Sequence, residues 1–228
     1  MAYLQLQLER VPDTENWDGV YRGNVIPPRM RILHPSAVPS FLAMSGLVLS
    51  DMFREPGDSL RARQQGRRGV QPPGFSLHNY GIAIDIDIPK SRKGVGAKNK
   101  TELDEYLALH GWWCHRNDHQ DEHEAWHYNF LGVDYKPKGR TTQRDAEALI
   151  TSLYPQMKDG KSPAAKELQI ALASCHLYTG EIDGKFGPLS KKALSQFQKA
   201  WGLPDSKGVV NYKTWRTLIY VTADRVVR

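Results

Sequence analysis

The feature that most restricts this chain is a run of strict alternation. From Gly81 to Ile88, the residues Ile82, Ile84, Ile86 and Ile88 alternate with Gly81, Ala83, Asp85 and Asp87. A period of two is the period of a β-strand, whose successive side chains point to opposite faces. Four isoleucines on one face must meet a core. The other face carries two small residues and two carboxylates, so the strand presents acids toward solvent or a cleft. Pro89 is expected to end it.

Around this strand the chain divides into two textures. Residues 1 to about 135 hold most of the histidines and the strand-like patterns. Trp126, Tyr128 and Phe130 alternate with His127 and Asn129, a second strand, and residues 101–111 read as a helix with Thr101 as cap and Gly111 after its last turn. The start, MAYLQLQLERVPDTENW, alternates like a strand. From about 163 onward the pattern is helical: Ser162 caps a helix with Pro163 at its first position, Leu194, Phe197 and Trp201 form one stripe of a second, and NYKTWRTLIYV is a third. Asp183-Gly184 marks a turn between the first two. The aromatics Phe186, Phe197, Trp201 and Trp215 are expected in the core. Segments rich in Lys, Gly and Pro lie between the halves, with AEALITSL as a short helix capped by Thr141 or Thr142. The expected organisation is an α+β domain with a small antiparallel sheet at 1–138, a linker at 139–162, and a three-helix module at 163–228.

Bulk properties exclude more than they select. No window approaches the roughly 18 apolar residues of a membrane span, so no integral membrane association is expected. The start lacks a basic segment followed by an apolar core, which reads as no signal peptide. The net charge of +6 suits a polyanion. Yet the basic clusters (Arg61, Arg63, Arg67, Arg68; Lys90, Arg92, Lys93, Lys98, Lys100) are not interleaved with aromatics as in a single-strand nucleic-acid platform, and no nucleic-acid partner is expected. Cys114 and Cys175 lie far apart and outside any CxxC pair, the pattern of two free thiols made in a reducing compartment.

One constellation carries chemistry. His78 precedes Asp85 by seven residues, across a turn at Gly81. An imidazole nitrogen and a carboxylate oxygen suit zinc, and catalytic zinc usually keeps three protein ligands and an open position. Ala83 leaves small bulk beside Asp85. The segment DHQDEHEAWHYNF supplies the third ligand: His127 lies on the polar side of its strand. Glu124, three residues earlier, is placed to act as a general base on a water and to deliver the proton to a leaving amine. The same letters hold a rival, since His123 to His127 fits HExxH with Glu147 as a third ligand. HExxH needs a helix, whereas the alternating aromatics after Ala125 favour a strand, and that set leaves His78 and Asp85 unused. Asp87, on the face of Asp85, is either a ligand-orienting group or a solvated strand position. Asp118 also invites a role, and His115, His119 and His123 read as loop residues near the cleft.

These residues carry a resemblance. SLHNYGIAIDIDI resembles the SxHxxGxAxD motif of the zinc peptidases that include the VanX and VanY dipeptidases and carboxypeptidases and the phage L-alanyl-D-glutamate endopeptidases. EAWH resembles their ExxH motif, at a similar spacing. The resemblance implies one zinc ion on His78, Asp85 and His127, with Glu124 as catalytic base. LVLSDMFREPGDSLRARQQGRR looks like the family's strand followed by an arginine. By that match Arg54 would hold the scissile carbonyl and offset its developing charge, although FREPGD departs from the common FRS-type pattern. Ser76 matches the serine before the first ligand and would touch substrate; the alternative is a turn residue after Pro72-Pro73-Gly74. The last third, with its LQ..L, G.IDG.FG, AL..FQ...GL and TW..L elements, looks like the peptidoglycan-binding domain of many wall hydrolases, with Asn211 where that pattern usually has glycine.

The expectation that follows is a monomeric phage endolysin. It would cut peptide bonds of peptidoglycan, as an L-alanyl-D-glutamate endopeptidase, and stay in the host cytoplasm until lysis. A D-alanyl-D-alanine carboxypeptidase of bacterial wall remodelling would share the whole metal site and is the alternative; a wall-binding protein with an inactive metal site is a third reading.

Overall fold

The computed structural model describes residues 8–12, 17–21, 24–67, 70–114, 124–136, 142–153, 161–204 and 210–227. Among them are strands β1 Glu9–Arg10, β2 Trp17–Tyr21, β3 Asn24–Val25, β4 Ile32–Leu33, β5 Leu47–Asp51, β6 Ala83–Ile86, β7 Trp112–Cys114 and β8 His127–Phe130. The helices are α1 Val38–Leu42, α2 Pro56–Gln64, α3 Ile88–Val95, α4 Lys100–Leu109, α5 Thr142–Leu153, α6 Pro163–Ser174, α7 Pro188–Ala200 and α8 Tyr212–Val227. The protein is thus α+β. Two compact units emerge, one from Leu8–Arg54 and Leu77–Glu147, the other from Glu55–Ser76 and the chain from Ala148 onward.

The first unit is built on a six-stranded sheet of order β3-β2-β5-β6-β8-β7, with β1 and β4 paired separately. The sheet is mixed, not wholly antiparallel as expected, because β2 and β5 run parallel. The alternating run falls at its centre. Ile84 sits opposite Tyr128 and Ile86 opposite Leu49, and all four are buried with Phe130 and Trp112. Helix α4 adds Leu103 and Leu107 to the core, and Tyr128 donates its hydroxyl proton to Asp104 of α4 at 2.6 Å. Each such apolar side chain contributes about 1.5–3 kcal/mol on burial, so this face fixes the register and thereby the face opposite.

Two expectations about element ends are corrected. Strand β6 stops at Ile86, and Pro89 does not end it. Asp87 caps α3 by accepting the Lys90 N–H at 3.1 Å, and Pro89 lies in the first turn of that helix, where a missing N–H is harmless. Asp87 is therefore a capping residue. Helix α4 is capped by Asn99, which accepts the Glu102 N–H at 2.9 Å, and not by Thr101, which lies inside the first turn. The reading of the amino-terminal stretch as a strand falls largely outside the described residues.

In the second unit, Ser162 caps α6 by accepting the Ala165 N–H at 3.1 Å, with Pro163 first in the helix, as expected. Asn211, where glycine is usual, caps α8 by accepting the Thr214 N–H at 3.0 Å. Leu168, Leu172, Phe186, Leu194, Phe197, Trp215 and Leu218 are buried. Trp201 is not: it is 48% exposed. It follows the last turn of α7, where the chain leaves the helix, and its ring meets Phe197 at a centroid distance of 6.2 Å while its other side stays exposed. Helix α2 packs on α8, and the Arg216 guanidinium lies 4.2 Å over the ring of Phe75. Of the two candidate caps of α5, Thr142 is its first helical residue and Thr141 lies outside the described residues. No helix of the described residues is long and apolar enough to cross a membrane.

Candidate metal centre

The polar face of the central strands gathers the predicted ligands. Asp85 of β6 is directly opposite His127 of β8, and Ala83 is opposite Asn129. Backbone pairing alone therefore places these four residues on one face, with the smallest side chain leaving room. His78 arrives from a buried 3-10 turn, Leu77–Tyr80, that leads into β6. Gly81 makes that entry possible. Its φ is +65°, and a Cβ there would stand 2.6 Å from the backbone nitrogen of His34.

Three atoms converge. His78 Nε2 lies 3.2 Å from Asp85 Oδ1 and 3.2 Å from His127 Nδ1, and His127 Nδ1 lies 2.7 Å from Asp85 Oδ1. The outward nitrogens are both committed to acceptors. His78 Nδ1 donates to the Met52 carbonyl, and His127 Nε2 donates to Oδ1 of the fully buried Asn129 at 2.9 Å. With the rings neutral, three lone pairs face one another with no proton between them, which is repulsive unless a cation sits there. Ligands about 2.0–2.2 Å from a tetrahedral metal stand about 3.3 Å apart; two of the spacings match, and the third must open by about half an ångström. Two imidazoles and a carboxylate are a donor set for a first-row divalent ion, and partners on the outer nitrogens are what orients such ligands. Among the described residues, these three form the group able to hold a metal ion.

The electrostatics agree. Burial works against a charged His78, but the Asp85 carboxylate, in contact and hydrogen-bonded, and the more distant Asp51 outweigh burial and an opposing Arg54, so the His78 pKa is raised. Burial likewise works against ionised Asp85, yet His78 and His127 together hold its pKa far below the usual carboxylate range. Both shifts favour positive charge between Asp85 and the two rings.

The other predicted residues are placed as follows. Arg54 is three residues past the end of β5; its N–H reaches the His78 carbonyl at 3.4 Å, and its own carbonyl accepts from Asn79 Nδ2 at 2.6 Å. Its guanidinium pairs with Asp51. Glu124 is half-buried in the turn before β8, and that turn is tied to the end of β6 by the Ile86 N–H on the Trp126 carbonyl at 3.0 Å. Ser76 is buried and closes a segment of the second unit. The HExxH alternative loses its helix, since His127 is on a paired strand, and Glu147 lies on α5 apart from the cluster. His115, Asp118, His119 and His123 lie outside the described residues. Asn129, Asn79 and Asp51 were missed. Asn129 had a signal, its place two residues after His127 on the same strand face.

The second unit has a buried polar centre of another kind. Gln169 is fully buried. Its amide nitrogen lies 3.0 Å from the Tyr178 hydroxyl, 2.9 Å from Asp183 Oδ1 and 3.0 Å from the Lys185 carbonyl, and its oxygen accepts the Gly184 N–H at 2.8 Å. One side chain thereby organises the loop between α6 and α7.

Residues 161–218 match the family model described as "Putative peptidoglycan binding domain". This match supports a peptidoglycan-binding domain in the carboxy-terminal part and, with it, association with the cell wall. Gln169 and the Asp183-Gly184 turn fall inside the matched segment. None of the curated proteins matches the chain.

Proposed function

We propose that this protein is a zinc-dependent peptidase of the VanY/VanX-like type that hydrolyses the stem peptide of peptidoglycan, as an L-alanyl-D-glutamate endopeptidase of the phage endolysin kind. The observation that carries the reading is the convergence of His78 Nε2, Asp85 Oδ1 and His127 Nδ1, with both outer nitrogens already committed. His78, Asp85 and His127 would hold the ion. A zinc ion supplies a Lewis acid there and lowers the pKa of a water to about 7.

The chain's own groups do the rest. Glu124, in the turn tethered beside Asp85, takes the proton of the attacking water and passes it to the leaving amine, a role worth about 10²–10⁴-fold in rate. The Arg54 guanidinium faces the substrate carbonyl oxygen and offsets its developing negative charge. The matched wall-binding segment supports the choice of substrate: tethering the site to an insoluble polymer raises its local concentration. The protein works as a monomer, made in the host cytoplasm and released onto the wall at lysis.

Digestion of purified sacculi, with new termini read by mass spectrometry, tests this. A new D-glutamate amino terminus is the expected product. Release of free D-alanine would replace the endopeptidase by a carboxypeptidase, and intact stem peptides with zinc bound would refute the catalytic reading.

A further inference from the structure

A buried carboxylate beside the triad has no part in the scheme above. Asp51 is 4% exposed. By simple alternation it belongs with Leu47 and Leu49, whose side chains enter the core. The pairing of β5 with β6 changes this. Leu49 is opposite Ile86, but Asp51 is opposite Asp85, so β5 advances two residues while β6 advances one. Such a one-residue bulge re-aims the side chains that follow it. It turns Asp51 from the apolar face to the face of the metal ligands. Asp51, Asp85 and His127 then form one row across three neighbouring strands.

Both oxygens of Asp51 are engaged, and each leads to a different part of the site. Oδ1 accepts the Met52 N–H at 2.9 Å, and the Met52 carbonyl is the group that takes the Nδ1 proton of His78. Oδ2 accepts from Nη2 of Arg54. The Arg54 backbone is in turn fixed to His78 and Asn79. A buried carboxylate is costly unless paired and hydrogen-bonded, and on this face both oxygens of Asp51 find partners that lead to the metal-ligand set.

We infer that Asp51 is the positioning residue of the centre: one carboxylate sets both the orientation of the candidate ligand His78, through the backbone of Met52, and the placement of the Arg54 guanidinium. The role of Arg54 rests on the proposed peptidase; the role toward His78 does not. Loss of partners behind a metal ligand typically weakens metal binding or activity about 10–100-fold.

The test is Asp51→Asn, which preserves volume and an acceptor for the Met52 N–H but removes the charge. Metal affinity is measured by competition with a chromogenic chelator, and geometry by the visible spectrum of the cobalt-substituted protein. The expected result is affinity about tenfold weaker and a changed cobalt spectrum, with the melting temperature measured alongside. On sacculi, kcat should fall about 10–100-fold with KM less affected, and Asp51→Asn/Arg54→Ala should be no slower than Arg54→Ala alone. Wild-type affinity with an unchanged cobalt spectrum would overturn the inference. If the wild type cuts no stem peptide, the peptidase reading fails while the affinity and spectral arms still decide the role toward His78. If the variant does not fold, NMR of the wild-type Arg54 guanidinium decides. Resolved Nη protons, held against rotation, are expected, and freely averaged ones would refute the positioning of Arg54.

Discussion

Each unit of this protein buries a polar cluster, and the two differ in sign. Around Gln169, a donor is surrounded by acceptors and the amide oxygen receives a donor in return. Around Asp85, acceptors face acceptors. Buried polar groups are normally satisfied, so the first cluster is complete as it stands and the second is complete only with a cation. Burial and hydrogen-bond counts alone would rank the two alike. What separates them is whether the converging atoms bring protons.

The comparison breaks most sharply under substitution of the central residue of each cluster. Asp85→Ala should weaken metal binding by more than about 100-fold, beyond what loss of an outer partner does, as read by metal analysis after dialysis. Gln169→Leu should leave metal content unchanged. It would instead orphan several buried groups at about 1–3 kcal/mol each, lowering the melting temperature and the pull-down by sacculi. A metal loss in Gln169→Leu equal to that in Asp85→Ala would erase the distinction.

Next in size is Glu124→Gln. Metal content should stay at the wild-type level while sacculus hydrolysis falls by about 10²–10⁴-fold. Equal loss of both would make Glu124 a ligand and not a base.

Acidity sharpens the contrast further. The raised pKa of His78 means that, without metal, its contribution to stability is full below the ordinary histidine value of about 6.5 and is lost as pH rises through the raised value. Metal needs the deprotonated ring, so affinity should rise over that same interval, with a proton released on binding below the raised value. Calorimetry in buffers of different ionisation enthalpy measures that proton. The lowered pKa of Asp85 adds no change there; its contribution is full above the ordinary carboxylate value of 3.8 and is lost progressively as pH falls below it. The Gln169 cluster should be indifferent to pH in this window.

The smallest effect concerns the caps. Ser162→Ala should cost about 1 kcal/mol, seen in denaturant unfolding and absent from metal binding.

The candidate ligands were legible because they ride on local rules. Alternation at 81–88 put Asp85 on a polar face, and alternation at 126–130 did the same for His127, so a ladder had only to bring the two strands together. The helix starts at Ser162 and Pro163 were legible for the same reason. Non-local geometry was not. A bulge is invisible in the letters of LVLSD, so Asp51 read as one more strand residue before Arg54. The cap role of Asp87 was hidden because Ile88 continues the apolar alternation past the point where the helix begins. Trp201 has the spacing of a core residue, and only the end of α7 one position earlier leaves it outside. The peptidoglycan-binding pattern spans three helices and a turn, which is enough letters to be specific, whereas the candidate ligands would fix chemistry without fixing substrate.

The row of Asp51, Asp85 and His127 across paired strands has a kinetic consequence. Its residues are held by the same ladder that closes over the isoleucine core, so removing the ion does not require the strands to part. Amide hydrogens of β6 and β8 should remain slow to exchange in the chelated protein. Metal should return at the rate of ligand exchange on the ion, with no folding step interposed.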